Sequence, residues 1–121
     1  METKKFDLED RLIDFAIMVS EVIENLPNTK LANHLGGQGI RSSTAPALLY
    51  GEVQSAESQK DFIHKAQILL KELRETKVSL KIIQRKRLLV DSMILPTLKE
   101  NEELIAIFAK SVKTAKSKLP K

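Results

Sequence analysis

Few residues in this 121-residue chain have both the type and the spacing that chemistry requires. The two histidines, His34 and His64, stand apart, without the HExxH or His-x3-His spacing of a helical metal site. Neither has a glutamate three residues before it, so the Glu-x-x-His pairs of a di-metal bundle are missing as well. The run GGQG, residues 36–39, has the glycines of a phosphate loop, but no strand pattern precedes it and no Gly-Lys-Ser/Thr follows. Ser42, Ser43 and Thr44 have no histidine base beside them in the sequence and read as small packing or capping residues. Arg41 and Glu52 lie about three helical turns apart, too far to pair within one helix. Each is expected to find a structural partner across a helix or subunit boundary, with Glu52 half-buried. The sequence therefore predicts no catalytic residue, no metal site and no cofactor.

Charge is the remaining chemical signal. Residues 1–27 carry three basic and seven acidic side chains (−4), residues 28–76 six and five (+1), and residues 77–121 eleven and four (+7). The basic excess of the chain thus sits in its carboxy-terminal third. Lys71, Arg74, Lys81 and Arg85 share one side of a predicted helix, and the run QRKR extends them with Lys86 and Arg87. Lys99, Lys110 and Lys113 share an outer face further on, followed by Lys116, Lys118 and Lys121. Such side chains neutralise phosphates without reading sequence. Tyr50 is the only tyrosine and tryptophan is absent, so base stacking on aromatics is not expected. The candidate contacts for RNA or DNA are Lys71, Arg74, Lys81, Arg85, Lys86, Arg87, Lys110 and Lys113. The competing reading is a lysine-rich surface that serves solubility alone.

Four helical segments must position these groups. The first runs from about Leu8 to Leu26 behind an Asp7 cap, with Leu8, Leu12, Phe15, Ala16, Val19, Ile23 and Leu26 on one face. The second lies between Lys30 and Gln54. Gly36, Gly37, Gly39 and Pro46 predict a kink or break there, with the firmer half from about Ile40 to Val53. The third starts at a Ser58 cap and reaches about Arg87. Phe62, Ala66, Leu69, Leu73, Thr76, Leu80 and Ile83 form an unbroken 4-3 seam along it. The fourth is expected to begin near Thr97, as a capping box with Glu100, and to end near Lys118. Its buried face is Leu98, Ile105, Phe108, Val112, Ala115 and Leu119. One apolar stripe per helix and short connections predict an all-α, antiparallel up-and-down four-helix bundle, one domain over residues 1–121.

The third helix carries a second apolar set. At about 100° per residue, Val78, Ile82 and Leu89 fall opposite the Leu73–Leu80 line, and Ile63 and Leu70 also lie off the seam. Aligned aliphatics on an outer face predict a second buried surface, so Ile63, Leu70, Val78, Ile82 and Leu89 are the candidate interface of a homo-oligomer.

Apolar residues make up 42% of the chain, enough for one core, and at this length there is no room for a second. Without cysteine, disulfides and thiolate zinc sites are excluded. The start METKKFDLEDR has no signal-peptide core, and no stretch approaches ~18 apolar residues. A cytoplasmic protein without a membrane partner is expected.

The blocks LEDRLIDFA, QGIRSSTAPALLYGE, SAESQKDFIHKAQILLKELRET and SVKTAK, in that order, resemble a known bacterial family. Its founding members are encoded by intervening sequences in 23S ribosomal RNA genes. The likeness spans about residues 8–118. It is most specific at Gln38, Arg41, Ser42 and Glu52, then Ser58, Asp61, Phe62, Lys65, Glu72, Glu75 and Thr76. The resemblance implies a four-helix bundle assembled as a ring, commonly a pentamer, with no established enzymatic activity. The chain is also similar to the accessory protein of diversity-generating retroelements, a basic pentameric barrel, which implies contact with nucleic acid. It departs from the family pattern at Leu48–Leu49, where Asn is frequent, and at Val78–Ser79, where an aromatic pair is frequent.

Overall fold

The computed structural model describes residues 7–120, so Lys121 and the first six residues lie outside the described residues. Four helices follow one another: α1 (Leu8–Glu24), α2 (Lys30–Gln54), α3 (Gln59–Arg85) and α4 (Asp91–Ser117). Three begin on side-chain caps that satisfy otherwise unpaired amides. Asp7 accepts from the Asp10 amide at 3.2 Å, Thr29 from Ala32 at 3.1 Å, and Ser58 from Asp61 at 3.0 Å. Asp61 in turn accepts from the Glu57 amide at 3.1 Å and pairs with Lys65 at 3.2 Å. The backbone bond lowers the Asp61 pKa first, and Lys65 adds to it.

Each helix packs on its neighbours in sequence, and α4 closes the bundle on α1; α1 does not pack on α3, nor α2 on α4. Antiparallel order is visible residue by residue. Gly36 and Gly39 of α2 face Ile23 and Val19 of α1, while Leu73 of α3 meets Asn101 of α4. The architecture is the expected all-α four-helix bundle.

Helix α2 differs from its expected form: it runs unbroken through the glycines and Pro46. The reason is tertiary. A Cβ on Gly36 would stand 3.2 Å from Ile23 Cγ2, and one on Gly39 would stand 3.0 Å from Ile23 Cδ1. These two glycines let α1 and α2 approach closely, and that packing outweighs their weak helix propensity. Helix α4 also begins earlier than expected, at Asp91 rather than near Thr97. Thr97 is buried and Ile94 wholly so, which anchors the additional turns in the core, and Glu100 is drawn away to Arg11 at 2.7 Å.

The core has two apolar clusters. Leu12, Phe15, Leu69, Leu73, Leu104 and Phe108 belong to one, and Val22, Leu35, Leu80, Ile83, Ile94 and Leu98 form the other. Between them in sequence along each of α2, α3 and α4 lie buried polar residues. Ser42 and Thr76 share a 2.7 Å hydrogen bond across α2 and α3, and Asn101 Nδ2 donates to the Leu73 carbonyl at 3.1 Å. Burying such groups costs little where they are paired, as at Ser42 and Thr76. Asn101 Oδ1 finds no partner among the described residues, and the pairs that do form favour one register of the helices over a slipped one.

Helix α3 ends at Arg85, slightly short of the expected Arg87, in a tight C-terminal motif. The amide of Leu88 donates to Ile83 O at 3.0 Å and that of Arg87 to Gln84 O at 3.0 Å. This pattern places Arg87 in the left-handed region, at φ 59°, where glycine is the usual occupant. Arg87→Gly is therefore expected to raise stability by roughly 1 kcal/mol, measured as a higher urea midpoint at unchanged slope.

Candidate assembly and phosphate-contacting surface

Two groups of cations stand out among the described residues. Four hold helices together or cap them. Arg11 of α1 grips Glu100 and Glu103 of α4, each at 2.7 Å. The hydrogen bond to Glu100 raises the Arg11 pKa most, so the guanidinium stays charged. Arg41 of α2 pairs with Glu72, at 3.0 Å, and with Glu75, both on α3. Lys77 of α3 meets Glu102 of α4 at 3.3 Å, and Lys65 serves the α3 cap. Arg41 thus finds its partner across a helix boundary, as expected, whereas Glu52 is exposed rather than half-buried.

The second group has no such employment. None of Lys71, Arg74, Lys81, Arg85, Lys86, Arg87, Lys110 and Lys113 forms an ion pair with a described residue. All are exposed except Lys81, which is half-buried.

The structure brings only some of these residues together. Arg74 and Lys113 line one α3–α4 groove of about 470 Å³, joined there by Gln67 and Lys116. Lys116 is the addition that the structure makes to the candidate set; its spacing of three residues from Lys113 puts both on the α3 side of α4. Arg85 and Arg87 line a larger recess of about 900 Å³ at the α3–α4 connection, with Leu88, Leu89 and Met93. Lys110 lies elsewhere, in a groove with Phe62, Ile107 and Lys118. Lys71 is exposed on α3, and Lys81 is half-buried on the same helix. The basic surface is therefore a band around α3 and α4, not one cleft.

The candidate interface set needs correction. Ile63 and Leu70 are only 8% and 4% exposed and belong to the chain's own core. Helix α3 packs on both α2 and α4, so its apolar arc must be wider than a two-position seam, and these residues fill the α4 side of it. Leu89 is half-buried against the second cluster. Val78 and Ile82 remain, 58% and 39% exposed. The sequence reading missed a further apolar group on α1 and α2, comprising Ile13, Ile17, Ile40 and Leu48, the last 79% exposed. Its signal was present in the off-stripe isoleucines of α1.

His34 and His64 are exposed and apart, and among the described residues no group of three metal-ligating side chains assembles. No described helix is long and apolar enough to cross a membrane.

The architecture places this chain among four-helix bundles. A solved structure from Bacteroides thetaiotaomicron has a similar fold, with a TM-score of 0.79 over 88% of this chain and 99% of that one. It is described as a protein of unknown function from the S23 ribosomal protein family, and its sequence identity to this chain is 24%. That likeness establishes the shared fold. No family's sequence profile and no curated protein matches the chain.

Most residues that carry the family resemblance have structural duties in this fold, Glu52 being exposed and without an ion pair to a described residue. Gln38 accepts from Arg41 at 3.4 Å, Arg41 clasps Glu72 and Glu75, and Ser42 meets Thr76. Ser58, Asp61 and Lys65 form the start of α3. The motif is a lock between α2 and α3 and an α3 cap.

Proposed function

We propose that this protein is a non-enzymatic homo-oligomeric scaffold of the 23S rRNA-intervening-sequence kind, which contacts RNA or DNA phosphates through its α3–α4 band. The observation that carries the reading is the division of cations: four pair with carboxylates to hold the fold, and the eight candidates have no ion pair with a described residue. Arg87 supports it, since an arginine occupies a backbone position that would be more stable with glycine. The motif lock between α2 and α3 gives the resembling residues a common structural role, and the similar solved bundle supports the shared fold.

Binding of this kind neutralises phosphates and releases counterions, so its affinity falls linearly on a log–log plot against salt. Structured RNA and duplex DNA, titrated across a salt series, should both bind at low salt and lose affinity with similar slopes. Equal affinity for unrelated base sequences is expected, because the band has no tyrosine or tryptophan and the Phe62 ring beside Lys110 is half-buried. Absence of binding at low salt would leave the homo-oligomeric scaffold without a nucleic-acid role, the band then serving solubility.

A further inference from the structure

Two faces of the bundle stay apolar after the core is complete. On the first, α1 and α2 run antiparallel, with Ile23 and Val19 against Gly36 and Gly39. Continuing that register sets Ile17 near Ile40 and Ile13 near Leu48, so four exposed aliphatics lie along the α1–α2 side of the bundle. Gly37 and Gly51 share this side of α2. A Cβ on either would meet nothing within 4 Å, unlike one on Gly36 or Gly39. Glycine within a helix is unfavourable relative to alanine, and nothing in the chain itself requires it at these two positions. Close approach of another molecule would.

The charges around the two faces are opposite. Asp10, Asp14, Glu21 and Glu24 surround Ile13 and Ile17, are exposed, and form no ion pair with a described residue. Asp10 has its pKa raised by its hydrogen bond and charge interaction with Asp7, with smaller contributions from Asp14 and Glu9. On α3, Val78 and Ile82 sit among Lys71, Arg74, Lys81 and Arg85. Each face thus presents a pair of β-branched residues one helical turn apart. The surroundings are acidic around Ile13 and Ile17 and predominantly basic around Val78 and Ile82, where Glu75, three residues before Val78, is paired with Arg41. Since α1 does not pack on α3 nor α2 on α4, the two faces lie on opposite sides of the bundle.

We infer that these faces are the two halves of one head-to-tail interface, the acidic α1–α2 face of one copy docking on the basic α3 face of the next. This rests on the homo-oligomeric reading above. A second copy is the occupant because this chain itself supplies the complementary surface. Pairing of like faces would instead set acids against acids. Contacts on opposite sides propagate, closing a ring where the rotation divides a full turn. The assembly then engages Lys71, Arg74, Lys81 and Arg85, and leaves Lys86, Arg87, Lys110 and Lys113 for phosphates.

The chain has no cysteine, so introduced thiols are unambiguous. Ile17→Cys and Val78→Cys would be made singly, co-expressed, and combined in one chain, then treated with a short bis-maleimide after the mass is measured by light scattering. Leu48→Cys with Ile82→Cys repeats the test at a second register. Each single variant should stay uncross-linked, the co-expressed pair should give covalent dimers, and the combined variant a ladder ending at the copy number. A multimeric mass with self-cross-linked single variants, or with no cross-links in either register, overturns the head-to-tail interface and leaves the homo-oligomer standing. A monomeric mass overturns both.

Discussion

Leu73→Ala is expected to lower the stability of the bundle by about 2–5 kcal/mol, the range for a leucine removed from a packed core. Leu73 has no exposed surface and packs in the larger cluster with Leu69, Leu104 and Phe108. The missing methyl groups would leave a cavity that rigid neighbouring helices cannot collapse into. The Leu73 carbonyl also accepts from Asn101 at 3.1 Å, so any local shift of α3 strains a buried hydrogen bond as well. Urea denaturation followed by circular dichroism reads the effect as a lower midpoint. Leu95→Ala is the matched control: Leu95 is 47% exposed on α4, outside both apolar faces, and its truncation should move stability by about 0.5 kcal/mol. If Leu73→Ala melted like the parent, the assigned core would be wrong.

Changing Lys86, Arg87, Lys110 and Lys113 together to glutamate should have the largest effect on nucleic-acid affinity. Each subunit would leave up to four phosphates without a neutralising cation and place repulsion at the same points. The log–log salt plot flattens by about 0.7–0.9 units for each phosphate no longer neutralised, so by about 3 units if all four are engaged. Avidity amplifies the change, because copies in one assembly act on the same strand. All four side chains are exposed and have no ion pair with a described residue, so the fold should survive the change. Equal oligomeric mass and equal helicity of the two proteins would establish that binding alone has altered. Indistinguishable salt slopes would show that this part of the band touches no phosphate.

The α3 seam was legible because its 4-3 spacing leaves no alternative period, and Ala66, Leu69, Leu73, Thr76, Leu80 and Ile83 are all buried. The course of α2 was not. Glycine and proline report local propensity, whereas Gly36 and Gly39 answer to Ile23 on another helix, which no local pattern reveals. Thr97 and Glu100 imitated a capping box; their actual surroundings are the core and Arg11. Ile63 and Leu70 looked like interface residues because a seam of two positions per heptad was assumed for a helix that packs on two sides. The charge segregation was legible in full. The division of cations into structural and unpaired ones was not, since it depends on which carboxylates the fold brings within reach. Arg41, for example, meets Glu72 and Glu75 only because α2 and α3 are antiparallel neighbours.

The central claim, an oligomeric scaffold with a phosphate-contacting surface, is tested most directly on the protein as purified at low salt. Size-exclusion chromatography with light scattering gives the mass, and the ratio of absorbance at nucleic-acid and protein wavelengths gives the content of the same peak. The account predicts a multiple of the 13.6 kDa chain, 68 kDa for five copies (5 × 13.6), carrying nucleic acid that nuclease or high salt removes. A single species at 13.6 kDa free of nucleic acid would contradict it.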